Sequence, residues 1–240
     1  SSDWQTMVFM AAQISTRLRM GLLYGPSHIS RNIADRSALY AESIDDLFAR
    51  YGPGYKWFAT ITAILGGMTV ILASSTVNVA FPDIMGAFGI GRDQAQLMST
   101  GYFGSMTAGM LVSAWLINTF GQRFSFCTAI LTFIAGSLLS GMAWNAEVLT
   151  LGRVMQGVSA GVVQPIGMAV TFSVFPSRSK GMSMGLFSMG MVLAPIMGPT
   201  MGGLAIELFS WHYVFLLTLP TAGIAFMLGT LFMPSRAWPE

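Results

Sequence analysis

Six long apolar runs separated by short polar breaks occupy the chain from Trp57 onward, and no other sequence feature restricts its fold so tightly. They lie near 57–80, 95–117, 124–143, 147–174, 182–206 and 211–233. Each is about 20 residues or longer, enough to cross about 30 Å of hydrocarbon at 1.5 Å per helical residue. Lipid offers no partner to an open backbone, so such spans are expected to be helices, and no segment alternates in the manner of a barrel strand. The breaks contain Pro82-Asp83, Asn118-Thr119-Phe120-Gly121, Trp144-Asn145, Pro176-Ser177-Arg178 and Phe209-Ser210-Trp211. The expected class is an all-α integral membrane protein lodged in the lipid bilayer. Residues 1–56 form a cytoplasmic helical tail, 57–235 the six spans and 236–240 a short cytoplasmic end.

Charge supports this class and excludes others. Only 9% of the 240 residues are charged, against about 25% in a soluble domain, so most of the surface does not face water. A net charge of +2 points to no nucleic-acid partner. The single cysteine, Cys127, rules out an internal disulfide framework. No Cys/His/Asp/Glu group has ligand spacing, and no nucleophile elbow or phosphate loop occurs. The chain therefore reads as no enzyme, with no metal and no cofactor. The first residues include Asp3 and Gln5 and lack a basic region ahead of an apolar core, which does not fit a cleavable signal peptide.

Basic residues set the expected orientation. Arg17, Arg19, Arg31, Arg36, Arg50 and Lys56 lie in the tail, and Arg123, Arg178, Lys180 and Arg236 lie in the breaks on the tail's side of a six-span layout. Ten on that side face one, Arg92, on the other. Positive residues stay in the cytoplasm, so both termini are expected there, in a bacterial-type inner membrane. Within the tail, Met7, Met10, Ile14, Leu18 and Leu22 recur at helical spacing. That amphipathic helix lies either on the inner leaflet or on the protein's own cytoplasmic face. A second helix is expected from Arg31 to Tyr51, with Ile33, Tyr40, Ile44 and Leu47 on one side, and Gly52-Pro53-Gly54 breaks the chain after it.

Charge at membrane depth is costly and marks function. Arg153, the twelfth basic residue, falls a turn or two into the fourth span. It either snorkels to the outer surface or faces inward onto a carboxylate or polar network. Gln156 and Gln164 can share its face. Thr76 and Asn78 in the first span are further polar candidates for a pathway. None of the ten acids lies in the middle of a span, His28 is in the tail and His212 starts a helix, so no mid-membrane proton site is evident.

The fifth span carries Ala194-Pro195-Ile196-Met197-Gly198-Pro199-Thr200-Met201-Gly202-Gly203. Small residues at four-residue spacing allow close helix approach and prolines bend a helix. The stretch reads either as simple close packing or as a kinked helix sealing one face of an alternating-access carrier. The segments 72–82, 114–123, 151–161 and 194–203, in this order, resemble four signatures of the major facilitator superfamily, and within it the fourteen-span drug:proton antiporters. The resemblance covers residues 57 to 235. It implies the N-terminal six-helix half of such a transporter, built as two three-helix repeats. It also implies conformational and packing roles for Asn118, Gly121, Arg123, Gly157, Gly161, Pro195, Gly198, Pro199, Gly202 and Gly203.

Three departures accompany the resemblance. The family's first-helix acid corresponds to Ser74, the loop acid to Asn118, and two loop basic positions to Thr119 and Gln122, while Arg123 is retained. The resemblance reaches one six-helix half, whereas carriers of this type place substrate between two halves, so the chain is a fragment, a half-transporter or a structural subunit. Two functions therefore stand side by side. One is a transporter or half-transporter exporting amphipathic small molecules, paired with a second half or another copy. The other is a non-transporting structural subunit among other membrane subunits.

Overall fold

A computed structural model of the chain describes residues 44–235, all of whose regular elements are helices. The amphipathic tail helix at 7–22, most of the expected helix from Arg31 and the end from Arg236 lie outside the described residues. The elements are α1 (Ile44–Tyr51), α2 (Tyr55–Phe88), α3 (Arg92–Phe120), α4 (Gln122–Gly141), α5 (Ala146–Val174), α6 (Lys180–Leu208), α7 (His212–Leu216) and α8 (Leu219–Phe232). Gly52–Gly54 and Ser177–Ser179 form short 3-10 turns.

The helices outrun the apolar segments, and some breaks dissolve into them. Pro82-Asp83 lies inside α2, which continues to Phe88 and stops on Gly89 at φ +62. A proline inside a helix leaves the carbonyl four residues back without its donor, yet the helix passes through it. At 34 residues, α2 is about 51 Å long, well beyond the hydrocarbon thickness. The break at 118–123 also shrinks: α3 runs to Phe120, α4 starts at Gln122, and Gly121 at φ +83 is the sole link. That backbone conformation suits only glycine. The sixth run, in contrast, is divided. Pro220 at the start of α8 cannot donate backward, and α7 gives way to a turn at Leu217–Thr218.

Five helical stretches are long and apolar enough to cross a membrane: Asp46–Phe88, Gln122–Gly141, Ala146–Val174, Ser177–Leu208 and His212–Phe232. The helix α3 is 29 residues long but is not among them. It begins Arg92-Asp93-Gln94 and carries Gln96, Ser99, Thr100 and Ser105, which dilute its apolar character. It packs along α5.

Helix α5 is the hub, touching α3, α4 and α2, while α2 also packs on α6 and α8. The most apolar stretch of α5 is 61% buried and that of α6 only 28%. The main core joins Ala59, Ala63, Phe126, Phe133, Val163 and Ile166, and a smaller one joins Ile84, Met98, Leu149, Trp211 and Phe215. Leu47 of α1 belongs to the main core, and the Tyr55 hydroxyl donates to the Phe232 carbonyl at 2.8 Å. Outside, Leu111, Trp115, Leu131, Met189 and Ile196 are exposed. An apolar surface of that extent is compatible with lipid and not with water.

Helix α5 starts on a cap. Asn145 has extended backbone and its Oδ1 accepts from the Val148 N–H at 2.8 Å. Asn145→Ala is expected to lower stability by about 1 kcal/mol, read as a lower unfolding midpoint in a thermal scan of the purified protein. Asn145→Asp, which keeps the acceptor, is expected to leave the midpoint close to the parent's.

Candidate functional site

The hub position of α5 places Arg153 in the centre of the bundle. Its side chain is 1% exposed, so it does not snorkel. One terminal nitrogen donates to the Ala73 carbonyl at 3.2 Å and to Gln156 Oε1 at 2.8 Å. The guanidinium carbon lies 4.2 Å from the centroid of the Tyr102 ring. Gln156 Nε2 donates to Ser137 Oγ at 2.7 Å, and the Tyr102 hydroxyl donates to the Val70 carbonyl at 2.7 Å. One connected polar group therefore joins α2, α3, α4 and α5.

The charge balance of this group is unusual. A guanidinium has five N–H donors, and here Nε is buried without a partner. The carboxylates of Asp83, Asp93, Glu147 and Glu207 are all exposed, away from it. The cation is held by one carbonyl, an amide oxygen and an aromatic face. A desolvated cation–π contact contributes about 2 kcal/mol, which offsets only part of the several kcal/mol of ion desolvation. No metal-ligand group of three or more His/Cys/Asp/Glu occurs among the described residues.

Ser74 does not meet Arg153. Its hydroxyl donates to the Ile71 carbonyl of its own helix at 2.8 Å. The α2 group that reaches the guanidinium is the backbone carbonyl of Ala73.

The other sequence candidates scatter. Thr76 is buried and bonds the Leu72 carbonyl of its own helix at 3.0 Å. Asn78 is exposed and lines a cavity of about 560 Å³ between α2 and α3. Gln164 is half-buried three turns beyond Arg153, outside the hydrogen-bonded group. Tyr102, Ser137 and the Ala73 carbonyl were not singled out by sequence. A tyrosine or serine in an apolar run gives no signal of its own, and only the packing of α3 and α4 on α5 makes them neighbours.

The glycine motifs are contact points between backbones. A Cβ on Gly157 would strike the Tyr102 carbonyl, and one on Gly161 would strike the Met106 carbonyl and lie 2.7 Å from the Met110 nitrogen. Both belong to the α3–α5 contact, to which Gly109 contributes from the other side against the Val158 carbonyl. Gly198 meets Ser75 and Gly202 lies against Thr76, which seats α6 on α2. Gly203 has open space around it, and Pro195 and Pro199 are exposed. α6 is one continuous helix through both prolines. At the link, Asn118 is exposed, the Arg123 N–H donates to the Pro234 carbonyl at 3.0 Å, and the buried Gln122 Oε1 has no partner.

A family description, the Major Facilitator Superfamily, matches residues 63–238. An uncharacterized MFS-type transporter, YhcA of Bacillus subtilis, is 34% identical over 182 residues, covering 75% of this chain and 34% of the relative. The riboflavin transporter RibZ of Clostridioides difficile is 30% identical over 77% of this chain and 41% of its own length. A putative multidrug resistance protein, MdtD of Yersinia pestis, is 29% identical over 75% of this chain and 39% of its own. The chain thus spans well under half the length of these relatives. Among solved structures, the proton:xylose symporter XylE bound to 6-bromo-6-deoxy-D-glucose superposes with a TM-score of 0.68 at 13% identity, over 76% of this chain and 46% of that one. At that identity the likeness establishes the fold.

Proposed function

Because the chain belongs to the major facilitator superfamily and is a multi-pass membrane protein of a transporter fold, we propose that it forms the N-terminal half of a carrier that exports amphipathic small molecules by alternating access. The observation that carries this reading is the buried Arg153 group. An uncompensated cation in the core costs stability, and apolar residues of similar volume would hold four helices together better. A carrier needs a polar element at membrane depth, and this group supplies one where four helices meet.

The relatives named for multidrug resistance and for riboflavin support an amphipathic cargo. Their greater length supports a second six-helix half as the partner, closing a pathway that this chain lines on one side. Thr76, Asn78, Arg153, Gln156 and Gln164 remain the pathway candidates in this reading. Both termini face the cytoplasm of a bacterial inner membrane, following the bias of basic residues. No proton step runs through Arg153, since no carboxylate or histidine among the described residues reaches it.

The test is flux of a fluorescent amphipath in proteoliposomes, with the chain reconstituted alone and with a complementary six-helix half. Flux is expected only with the pair and is expected to fall at least tenfold in Arg153→Met. The same variant should retain its unfolding midpoint to within a few degrees, because the lost bonds are offset by the removed desolvation. Absence of flux in every pairing, together with tight co-purification of unrelated membrane proteins, would replace this reading with that of a structural subunit.

A further inference from the structure

The cavity between α2 and the first turns of α3 has a charge character that the transporter reading leaves open. Its volume is about 560 Å³, within the range of small-molecule sites. Its lining includes the amides Asn78 and Gln96, the hydroxyl of Ser99 and the aromatic residues Phe81 and Phe103, and Arg92 is the sole charged residue in it. Asp83 and Asp93, each next in sequence to a lining residue, are exposed and do not line it. A guanidinium matches a planar carboxylate with two parallel N–H donors, and the amides and hydroxyl can satisfy the remaining lone pairs.

Resting on the reading of this chain as a carrier half, we propose that this cavity is a substrate subsite for amphipathic organic anions: an aromatic body against Phe81 and Phe103, and a carboxylate on Arg92. The opposite flank of α3 sharpens the contrast. A second cavity there, of about 830 Å³, is lined by Gln94, Leu97, Trp144 and Glu147. It carries a carboxylate and an indole, the reverse polarity. A cation entering it would not depend on Arg92.

The experiment compares two probes with one ring system, 1-pyrenebutyrate and its trimethylammonium counterpart. Binding to the full chain is followed by fluorescence anisotropy in phosphatidylcholine nanodiscs, with protein-free discs subtracted. The carboxylate probe is expected to bind about tenfold tighter than the ammonium probe, because a charge-assisted hydrogen bond is at stake. Arg92→Gln should weaken the carboxylate probe about tenfold and leave the ammonium probe unchanged. Arg92→Lys should restore most of the loss, and Gln96→Leu should weaken the carboxylate probe without changing charge. Arg92 is exposed, and each variant is checked for a monodisperse elution profile. Equal binding to the parent and Arg92→Gln, or preference for the ammonium probe, overturns the proposal. Arg92-dependent carboxylate binding without flux of either probe in paired proteoliposomes leaves the anion site standing and overturns the carrier reading instead.

Discussion

Gly161→Leu is expected to prevent α3 and α5 from seating and to abolish recovery of monodisperse protein. The atoms in the way are backbone: the Met106 carbonyl oxygen, the Met110 nitrogen at 2.7 Å and the Gly109 carbonyl carbon at 2.9 Å. A side chain can rotate aside, but a helix backbone moves only as a whole. Overpacking of an ordinary core costs about 1–3 kcal/mol, and a clash with a neighbouring helix backbone lies at or above the top of that range. Even Gly161→Ala is expected to lower the unfolding midpoint by more than Asn145→Ala does. Gly104 and Gly223 provide the control, since nothing lies within 4 Å of a Cβ added there. Alanine at either is expected to be neutral or stabilising by up to about 1 kcal/mol, from helix propensity alone. A melt in which Gly161→Ala and Gly104→Ala behave alike would show that the α3–α5 contact does not hold the fold.

Tyr102→Ala has the second-largest expected effect, and it acts on stability and function together. The ring is fully buried and covers the Arg153 guanidinium. Truncation leaves a cavity, worth about 3–5 kcal/mol for an aromatic side chain, and uncovers a cation that already lacks a partner on Nε. Tyr102→Phe keeps the ring and loses only the hydroxyl donated to Val70, about 1 kcal/mol. The expected order is therefore parent, then Phe slightly below it, then Ala far below in unfolding midpoint. In paired proteoliposomes, Phe is expected to retain most of the flux and Ala to lose it. If Phe and Ala were equally damaging, the hydroxyl rather than the ring would be the partner that matters.

The parts of the site that could be read in the sequence were those announced by an isolated chemical contrast. Arg153 stood out because nothing near it in an apolar run was charged, and Gln156 because it lies one turn on. Gly198 and Gly202 were legible through their spacing and Gly157 and Gly161 through the family resemblance; Gly157, Gly161 and Gly202 sit against a neighbouring backbone and Gly198 against the Ser75 side chain. Gly203 shares the motif but faces open space, because four-residue spacing defines one face of a helix and Gly203 is one residue off it. The other members of the Arg153 group were not legible. Tyr102 lies 51 residues before it and Ser137 16 before it, and no local rule links such positions. The carbonyl of Ala73 has no sequence signature at all. In the fold, the apolar runs indicated the helices but not their ends, since α2 leaves the apolar segment behind and continues through Pro82.

The single-residue link at Gly121 has a mechanical consequence. Two long helices joined through one left-handed glycine, with the start of the second tied to Pro234, have no slack between them. A tilt applied to α3 therefore cannot separate its C-terminal end from the start of α4 by more than one residue's length. A helix of 29 residues converts a tilt of about 10° into about 8 Å of travel at its far end. The two helix ends at Gly121 thus act as one pivot, and travel accumulates at the ends remote from it.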